Sequence, residues 1–440
     1  MNYDKNRSLS QLRVIPRLVR VGVAETVIVS PIGRAKAFDD ETEYSVYPVP
    51  MELYSHDRLG ETTAWDCIKV YPNNGTITFS YTFDEEQEWL IMLIPDASNG
   101  KKLPNHEIRL YALEDDLYER DPYLGDLHAH SCRSDGREDP AIVAANYRKE
   151  GYDFLSLTDH GKWAPSVEMQ EAYQDLPLGI RLFRGEEVHV PSGWLHVVSF
   201  GGDYSVQELY RSNAEALTKQ MQAEAEAFDA PRGINALEYV WRRWIANEIR
   251  RSGGLCIIPH PYWIYKQTYH MSSRMLEYVF ETGIYDAFEL VGGQSVHENN
   301  VQISFYQEMR AKGKSIPVVG SSDSHGTDPV SYFGIGKTVV LAKKCDKEGI
   351  CEAIRSGYSA AIEQQKSEEE RVYGSYRMVK YVRFLLDQYF PSHDELCVEE
   401  GILMREYAMG IPSAEASLRA LAGRVDAHRR YVLRGEAANV

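Results

Sequence analysis

Cysteine is sparse in this 440-residue sequence and follows no regular spacing. The six cysteines are scattered, with no CxxC pair and no pattern typical of a disulfide framework. This argues against a disulfide-stabilised secreted domain and against a thiolate-rich structural zinc site. We therefore expect reduced thiols and a cytoplasmic protein.

Long apolar runs are also absent. No segment approaches the roughly 20 consecutive apolar residues of a membrane-spanning helix. The N-terminal stretch MNYDKNRSLSQLRVIPRL has early positive charge but neither the apolar core nor the cleavage site of a secretory signal. The apolar share of 43% is ordinary for a globular protein. We expect no signal peptide and no membrane attachment.

Positive charge is in short supply. The chain has 48 Lys and Arg residues against 65 Asp and Glu, a net charge of −17, and no basic run. Proteins that bind long nucleic acid by releasing counterions usually present a basic face, so such a partner is disfavoured. Bound metal cations would neutralise part of the acid excess.

Residues 1–120 are predicted to form a β-rich, sandwich-like domain. Ile77, Phe79, Tyr81 and Phe83 lie on one face of an alternating segment, as in a half-buried strand. This segment follows a turn sequence, and apolar runs on either side of it supply further candidate strands. No helical periodicity appears in this part of the chain, which favours an all-β domain.

From residue 121 to 365 candidate strands alternate with helices. Asp139 followed by Pro140 predicts a helix start, and Ser205 with Glu208 resembles a capping box for a helix running toward Phe228. This alternation predicts either a parallel barrel or an open α/β sheet. The loop at 190–193 is too short for a helical crossover, so its flanking strands could form a hairpin. The strands are predicted to end near His130, Thr158, Glu187, Phe200, Pro259, Val291 and Ser322.

Residues 366–440 are predicted to be a helical appendage, with helical character from about Ser367 onward. One apolar stripe has the spacing of an amphipathic helix, which indicates a packing role rather than a catalytic one. Its members are Met378, Tyr381, Val382, Leu385, Leu386 and Tyr389.

Histidines at the ends of candidate strands carry the chemical signal. His128 and His130 alternate with apolar residues and therefore point to the same side of a strand. Two imidazoles on one face form a bidentate arm for a divalent metal. The turn Ser134-Asp135-Gly136 could bring a carboxylate back over the strand end.

Four further strand ends repeat this pattern of histidines and carboxylates. A single histidine at a strand end is more often an ordinary hydrogen-bonded residue. Five such ends would be costly to bury without a purpose, and in an α/β barrel they would converge on one rim. The pattern predicts a site for Mn, Fe or Zn. The four motifs are Asp159-His160, Glu186-Glu187, Pro259-His260-Pro261 and Asp323-Ser324-His325.

In this order, the motifs from Tyr123 to Ile362 resemble those of the polymerase-and-histidinol-phosphatase (PHP) superfamily of metal-dependent phosphoesterases. The resemblance implies a distorted seven-stranded α/β barrel that binds two to three divalent transition metals. It also implies nine metal ligands, which are His128, His130, Asp135, His160, Glu187, His196, His260, Asp323 and His325.

The resemblance further implies how these ligands are shared. One metal would be held by His128, His130, Glu187 and Asp323. Glu187 would bridge to a second metal with His196 and His260, and a third would be held by Asp135, His160 and His325.

Two ligand assignments have competitors. Glu186 could replace Glu187, although the Gly-x-Glu spacing of the family favours Glu187. His189 competes with His196. It could instead contact substrate or cap a loop, and the loop-capping role is the preferred interpretation. Glu187, Asp135 and His325 are the predicted catalytic residues.

The predicted activity is hydrolysis of a small phosphorylated substrate such as a nucleotide, an oligonucleotide or a sugar phosphate. A metal-bridging hydroxide would be the nucleophile. The leaving-group proton would come from a metal-bound water or a loop residue such as His189. Four cations beside the motifs could bind phosphate, although an ordinary surface role is expected for each. They are Arg133, Arg137, Lys162 and Arg184.

Two other functions stay open. A PHP-type ester or carbamate hydrolase would use the same hydroxide to attack a carbonyl carbon. A non-catalytic, metal-containing protein would use its β domain to bind a carbohydrate or protein, although the complete ligand set argues against this. The sequence leaves the substrate, the metal and the oligomeric state undetermined.

Overall fold

A computed structural model describes residues 12–33, 38–52, 66–96, 102–328, 330–365 and 368–436. The chain divides into two compact units. The first comprises Met1–Arg120, Lys380–Leu396 and Gly423–Val440, and the second comprises Asp121–Val379 and Cys397–Ala422. The predicted domain limits at residues 120 and 365 stay predictions.

In its described residues, the N-terminal part of the first unit comprises two sheets and one short helix. One sheet has the order β1-β3-β6 and the other β2-β8-β7-β4-β5. Phe79 and Trp89, from different sheets, belong to one apolar core. The elements are β1 (Leu12–Ile15), β2 (Leu18–Arg20), β3 (Ala24–Pro31), β4 (Tyr44–Pro50), β5 (Ile68–Val70), β6 (Ile77–Thr82), β7 (Glu88–Pro95), β8 (His106–Leu113) and α1 (Asp115–Tyr118).

Strands and helices alternate through most of the second unit, which confirms a mixed α/β fold. The strands are β9 (Asp121–Asp126), β10 (Phe154–Ser156), β11 (Arg181–Phe183), β12 (Gly185–His189), β13 (His196–Phe200), β14 (Leu255–Ile258), β15 (Ile264–Tyr265), β16 (Thr268–Tyr269), β17 (Ala287–Val291), β18 (Val318–Gly320), β19 (Gly336–Ala342), β20 (Ser359–Glu363) and β21 (Arg371–Tyr373). The helices are α2 (Pro140–Lys149), α3 (Ala164–Glu171), α4 (Val206–Ser212), α5 (Ala214–Ala227), α6 (Ala236–Arg251), α7 (Ser273–Thr282), α8 (Val296–Ala311) and α9 (Lys347–Arg355).

Hydrogen-bonded pairing divides the main strands of this unit between two sheets. Their orders are β11-β10-β9-β19-β20-β21 and β12-β13-β14-β17-β18, and β15-β16 forms a separate hairpin. A closed seven-stranded barrel is therefore not confirmed. The predicted hairpin around residues 190–193 is confirmed, because β12 and β13 are antiparallel with His189 opposite His196.

Local sequence signals set the helix starts. Asp139 accepts a hydrogen bond from the Ala141 N–H at the start of α2, and Ser205 accepts one from Glu208 N–H at the start of α4. The prediction of one continuous helix running toward Phe228 is wrong in one respect. The helix breaks at Asn213, where φ is −134°, and the chain continues as the separate helix α5.

The C-terminal helices are α10 (Tyr376–Gln388), α11 (Phe390–Ala408), α12 (Ala414–Ala420) and α13 (Arg424–Arg434). Five of the six residues of the predicted stripe are buried, Leu386 being partly exposed. The prediction of helical structure from about Ser367 onward is wrong for the described residues, because β21 pairs with β20 before α10 begins. Ser367 itself lies outside the described residues.

An all-β N-terminal domain is not confirmed either, because the first unit includes C-terminal segments that are helical. No described helix is both long enough and apolar enough to cross a membrane.

Candidate metal centre

Two backbone segments from distant parts of the sequence pair directly beneath the site. Ala129 forms a parallel bridge with Ser324. The Asp323 N–H donates to the His128 carbonyl at 2.9 Å, and the His130 N–H donates to the Ser324 carbonyl at 2.9 Å. This pairing presents two imidazoles and a carboxylate together, with His130 Nε2 3.0 Å from Asp323 Oδ1.

The turn that carries Asp135 folds tightly over this pairing. The Gly136 N–H donates to the Ser131 carbonyl at 2.9 Å, and a Cβ at position 136 would lie 2.7 Å from the His130 carbonyl oxygen. Asp159 holds the turn by accepting hydrogen bonds from the Ser131 N–H and the Ser134 N–H, both at 3.0 Å. Glycine is thus required by a close approach of the backbone.

Asp135 joins two imidazoles at the more exposed side of the site. Its Oδ2 lies 3.3 Å from His160 Nε2, and its Oδ1 lies 3.3 Å from His325 Nε2. The His130 ring is also close, with centroids 4.3 Å from His160 and 4.4 Å from His325. These four side chains form one of the groups able to hold a metal ion.

Glu187 lies fully buried at the centre of the cluster. Its Oε1 lies 2.8 Å from His196 Nδ1 and 3.3 Å from His260 Nε2. Its Oε2 lies 2.6 Å from His160 Nδ1 and 3.6 Å from His128 Nε2. Each carboxylate oxygen therefore faces its own set of imidazoles, which is the arrangement that a bridging ligand needs.

Glu186 faces away from this cluster, because neighbouring residues of a strand alternate in direction. Its carboxylate accepts hydrogen bonds from the Val206 N–H at 2.6 Å and the Ser205 hydroxyl at 2.7 Å. Burial raises the pKa of Glu186 to about 7. Of the two competing glutamates, only Glu187 contacts the predicted ligands.

Asp323 and His260 supply the remaining contacts from a strained backbone. Asp323 Oδ1 lies 3.3 Å from His128 Nε2, and its Oδ2 lies 3.9 Å from His260 Nε2. Their φ angles are +47° and +26°, in the left-handed region that residues with a side chain seldom adopt. Strain of this kind is concentrated at functional sites. The structure thus brings all nine predicted ligands together, and their binding of metal stays a prediction.

His189 also lies within this cluster, so a role confined to capping a loop is wrong. Its Nε2 is 3.0 Å from His160 Nδ1 and 3.4 Å from Glu187 Oε2. Its ring stacks on that of His196 with centroids 4.1 Å apart, because the two residues are opposite each other in the hairpin. His196 approaches Glu187 more closely, at 2.8 Å.

Burial and neighbouring charges shift the pKa values of the predicted ligands in both directions. Burial lowers the pKa of His130 to about 3 and that of His196 to about 4. Burial opposes ionisation of Glu187, but His196 and His128 hold its pKa well below the usual range. Burial likewise opposes protonation of His160, yet Asp135 and Glu187 raise its pKa to about 10. A metal that binds at His160 must therefore displace a proton.

Unsatisfied buried atoms provide a test of whether a metal fits. His128 Nε2 and His196 Nδ1 are buried and make no well-formed hydrogen bond among the described residues, although a carboxylate oxygen lies 3.3 Å from the first and 2.8 Å from the second. A cation coordinated by these imidazoles and carboxylates would satisfy both kinds of atom. Five groups of three or more donor atoms lie within 4.8 Å of one another, and all consist of imidazoles and carboxylates. The residues present fit divalent transition metals.

Two nearby residues were missed at the level of sequence. The Glu289 carboxylate lies 2.9 Å from His128 Nδ1, and both side chains are fully buried. The sequence feature that could have identified Glu289 is a single carboxylate within the apolar run of β17. His270 forms a donor group with His196 and His260, but it belongs to none of the predicted motifs and follows none of the predicted strands.

Glu289→Gln is expected to weaken metal binding by about 10- to 100-fold without removing a ligand. The carboxylate orients the His128 ring and makes it a better donor, and loss of such a partner typically has an effect of this size. Competition against a chromogenic chelator measures the dissociation constant. Glu308→Gln, on the exposed side of α8, is the control and should bind metal like wild type. Wild-type affinity in Glu289→Gln would contradict the role given to Glu289.

The four candidate phosphate-binding cations all have partners within the protein. Arg133 pairs with Asp139 at 2.9 Å, and the Lys162 ammonium donates to the Arg133 carbonyl. Arg137 pairs with Asp328. The Arg184 guanidinium donates to Gln170 at 2.9 Å and lies over the Trp163 ring. Their contacts are those of ordinary structural or surface residues.

No family model and no curated protein matches the chain. Several solved structures are similar. One is a two-domain protein from Bacteroides vulgatus described as containing a PHP-like metal-dependent phosphoesterase (19% identity, TM-score 0.39, 55% of this chain and 65% of that one, just under two thirds). Another is a protein from Bifidobacterium adolescentis described as a metal-dependent phosphoesterase (18% identity, TM-score 0.33, covering 47% of this chain and 89% of that one). A third is an amidohydrolase from Chromobacterium violaceum with bound sulfate and no metal (21% identity, TM-score 0.32, covering 48% of this chain and 89% of that one). Similarity at this level does not define an activity.

Proposed function

We propose that this chain is a PHP-type metal-dependent phosphoesterase acting on a small phosphorylated substrate. The observation that carries this proposal is the position of Glu187, a buried carboxylate whose two oxygens face different imidazoles. The proposal includes closure of the strands of residues 121–365 into a distorted barrel, with the site at its rim.

Three groups of residues would hold the metals. Glu187 would be shared between the first and second groups. His130 belongs to the first group by its contact with Asp323 and lies within reach of the third. When bound, the metals would lower the pKa of a water nucleophile and neutralise charge on the phosphate oxygens.

His189 is the residue that we propose to handle the leaving-group proton. Its Nε2 lies 3.0 Å from His160 Nδ1, and its side chain is 15% exposed, so it borders both the metal cluster and solvent. A histidine in such a position can donate a proton to an alkoxide leaving group.

Hydrolysis of a carboxyl ester or carbamate is the second candidate. One observation favours it, because all four candidate cations beside the motifs are already paired or hydrogen-bonded. A neutral ester would not need them, whereas a phosphate dianion would rely on the metals alone.

The test is metal analysis of the purified protein together with a panel of aryl phosphates, nucleotides, aryl esters and carbamates. We expect at least one Mn, Fe or Zn ion per chain and phosphatase turnover that chelation abolishes and metal restores. Turnover of esters or carbamates alone would support the second candidate. A fully loaded protein that turns over no substrate would support a binding protein. Metal content well under one per chain, without metal-dependent turnover, would overturn the metal centre.

A further inference from the structure

A short hairpin brings the imidazole of His270 next to those of His196 and His260 in the candidate metal centre. After His260 the chain forms β15 and β16, whose base is closed by two backbone hydrogen bonds. The His270 N–H donates to the Trp263 carbonyl at 2.9 Å, and the Met271 N–H donates to the Pro261 carbonyl at 2.9 Å. His270 is thereby placed beside residues ten positions earlier in the chain.

The His270 ring is buried among the imidazoles of the site. Only 5% of the residue is exposed. Its ring centroid lies 4.5 Å from that of His196 and 5.4 Å from that of His260. One donor atom from each of the three residues lies within 4.8 Å of the others.

The hydrogen bonds of His270 leave one nitrogen unused. Its Nε2 lies 2.6 Å from the Trp194 carbonyl oxygen, so this nitrogen carries the proton and donates it. The Nδ1 is then an unprotonated acceptor, buried and without a hydrogen-bond partner among the described residues. A backbone carbonyl that fixes the tautomer in this way is the usual outer partner of a metal-bound histidine.

We propose that His270 is a metal ligand, which makes the second site a pocket of three imidazoles together with Glu187. The predicted ligand set contains only His196, His260 and Glu187 at this site. A nitrogen-rich site prefers Zn²⁺ and Fe²⁺ to Mn²⁺, whereas the first site, which contains the two carboxylates Glu187 and Asp323, is richer in oxygen. The second site therefore favours Zn²⁺ and Fe²⁺ over Mn²⁺ more strongly than the first site does. This inference rests on the metal centre of the proposed function and not on phosphoester hydrolysis.

The test compares His270→Ala and His270→Gln with wild type in the full-length protein. Zn²⁺ affinity at the second site should fall at least about 100-fold in His270→Ala, and bound zinc should fall by about one equivalent after dialysis. Mn²⁺ affinity should change much less. Bound Co²⁺ should lose absorption bands in His270→Ala that are typical of nitrogen coordination. His297→Ala, an exposed histidine on α8, is the matched control and should behave as wild type.

A purely structural role for His270 predicts a different result. The metal-free variant would then melt at a lower temperature than metal-free wild type, while the rise in melting temperature caused by Zn²⁺ would be unchanged. The ligand role predicts the reverse, a near-normal melting temperature without metal and a smaller rise with Zn²⁺. Wild-type zinc content and affinity in both His270 variants would overturn the proposal. Wild-type protein that binds zinc but hydrolyses no phosphoester would leave it standing and count against the proposed function alone.

Discussion

Glu187→Gln is expected to lower the metal content at two sites at once and to reduce turnover by at least about a thousandfold. The substitution keeps the shape of the side chain but removes its charge. It also places an amide group near imidazole nitrogens that now lie 2.6–3.6 Å from a carboxylate oxygen. A shared anionic ligand contributes to the affinity of both metals, so its loss affects both.

Glu186→Gln is the matched control for this experiment. The two glutamates are adjacent, fully buried and changed in the same way, but Glu186 contacts Ser205 and Val206 instead of the imidazoles. We expect the Glu186 variant to keep its metal. Elemental analysis and turnover, measured on both variants, check this. Full metal content in Glu187→Gln, or greater loss in Glu186→Gln, would show that Glu187 does not bridge two metals.

His325→Ala should empty the group formed with Asp135 and His160 while the other metals remain, and turnover should fall at least about a hundredfold. Removal of His325 leaves Asp135 and His160, since His130 Nε2 already lies 3.0 Å from Asp323. Affinity depends steeply on ligand number. The His325 side chain is 36% exposed, so its truncation opens the site to water and leaves no closed cavity.

Asp135→Asn tests the same group from the other side. Both oxygens of Asp135 face imidazoles, so the single variants should lose the same metal and the double variant should lose little more. Metal counts and phosphatase rates are measured side by side on the three variants. If His325→Ala keeps all its metal and near-normal turnover, the third group is not catalytic and a three-metal site is wrong for this chain.

Much of the local structure could be predicted from the sequence. Asp139 and Ser205 cap the helices that were expected from them, and the short loop at 190–193 closes a hairpin. These features depend on residues a few positions apart, whose steric and hydrogen-bonding preferences act without help from the rest of the chain. The break of the helix at Asn213 and the strand β21 were missed, because packing can override weak local preferences.

Local sequence patterns could not predict how the strands are grouped into sheets. Alternating strands and helices are compatible with a barrel, an open sheet or two sheets, since each of these buries the same apolar faces. The pairing of β9 with β19 joins residues more than 200 positions apart, and nothing in either segment specifies that partner. The division into two sheets depends on hydrogen bonds between strands that are distant in sequence.

The sequence by itself determined that histidines and carboxylates would lie at successive strand ends, because strand alternation and turn chemistry orient such side chains locally. Only the tertiary structure decided which neighbours complete it. Glu187 contacts the cluster while Glu186 turns away, Glu289 supports His128 from β17, and a hairpin carries His270 to His196. The contacts of Glu289 with His128 and of His270 with His196 join segments that are distant in sequence, and a ligand set requires atoms within a few ångströms. That approach is set by sheet register and close packing, which leave no mark at the positions themselves.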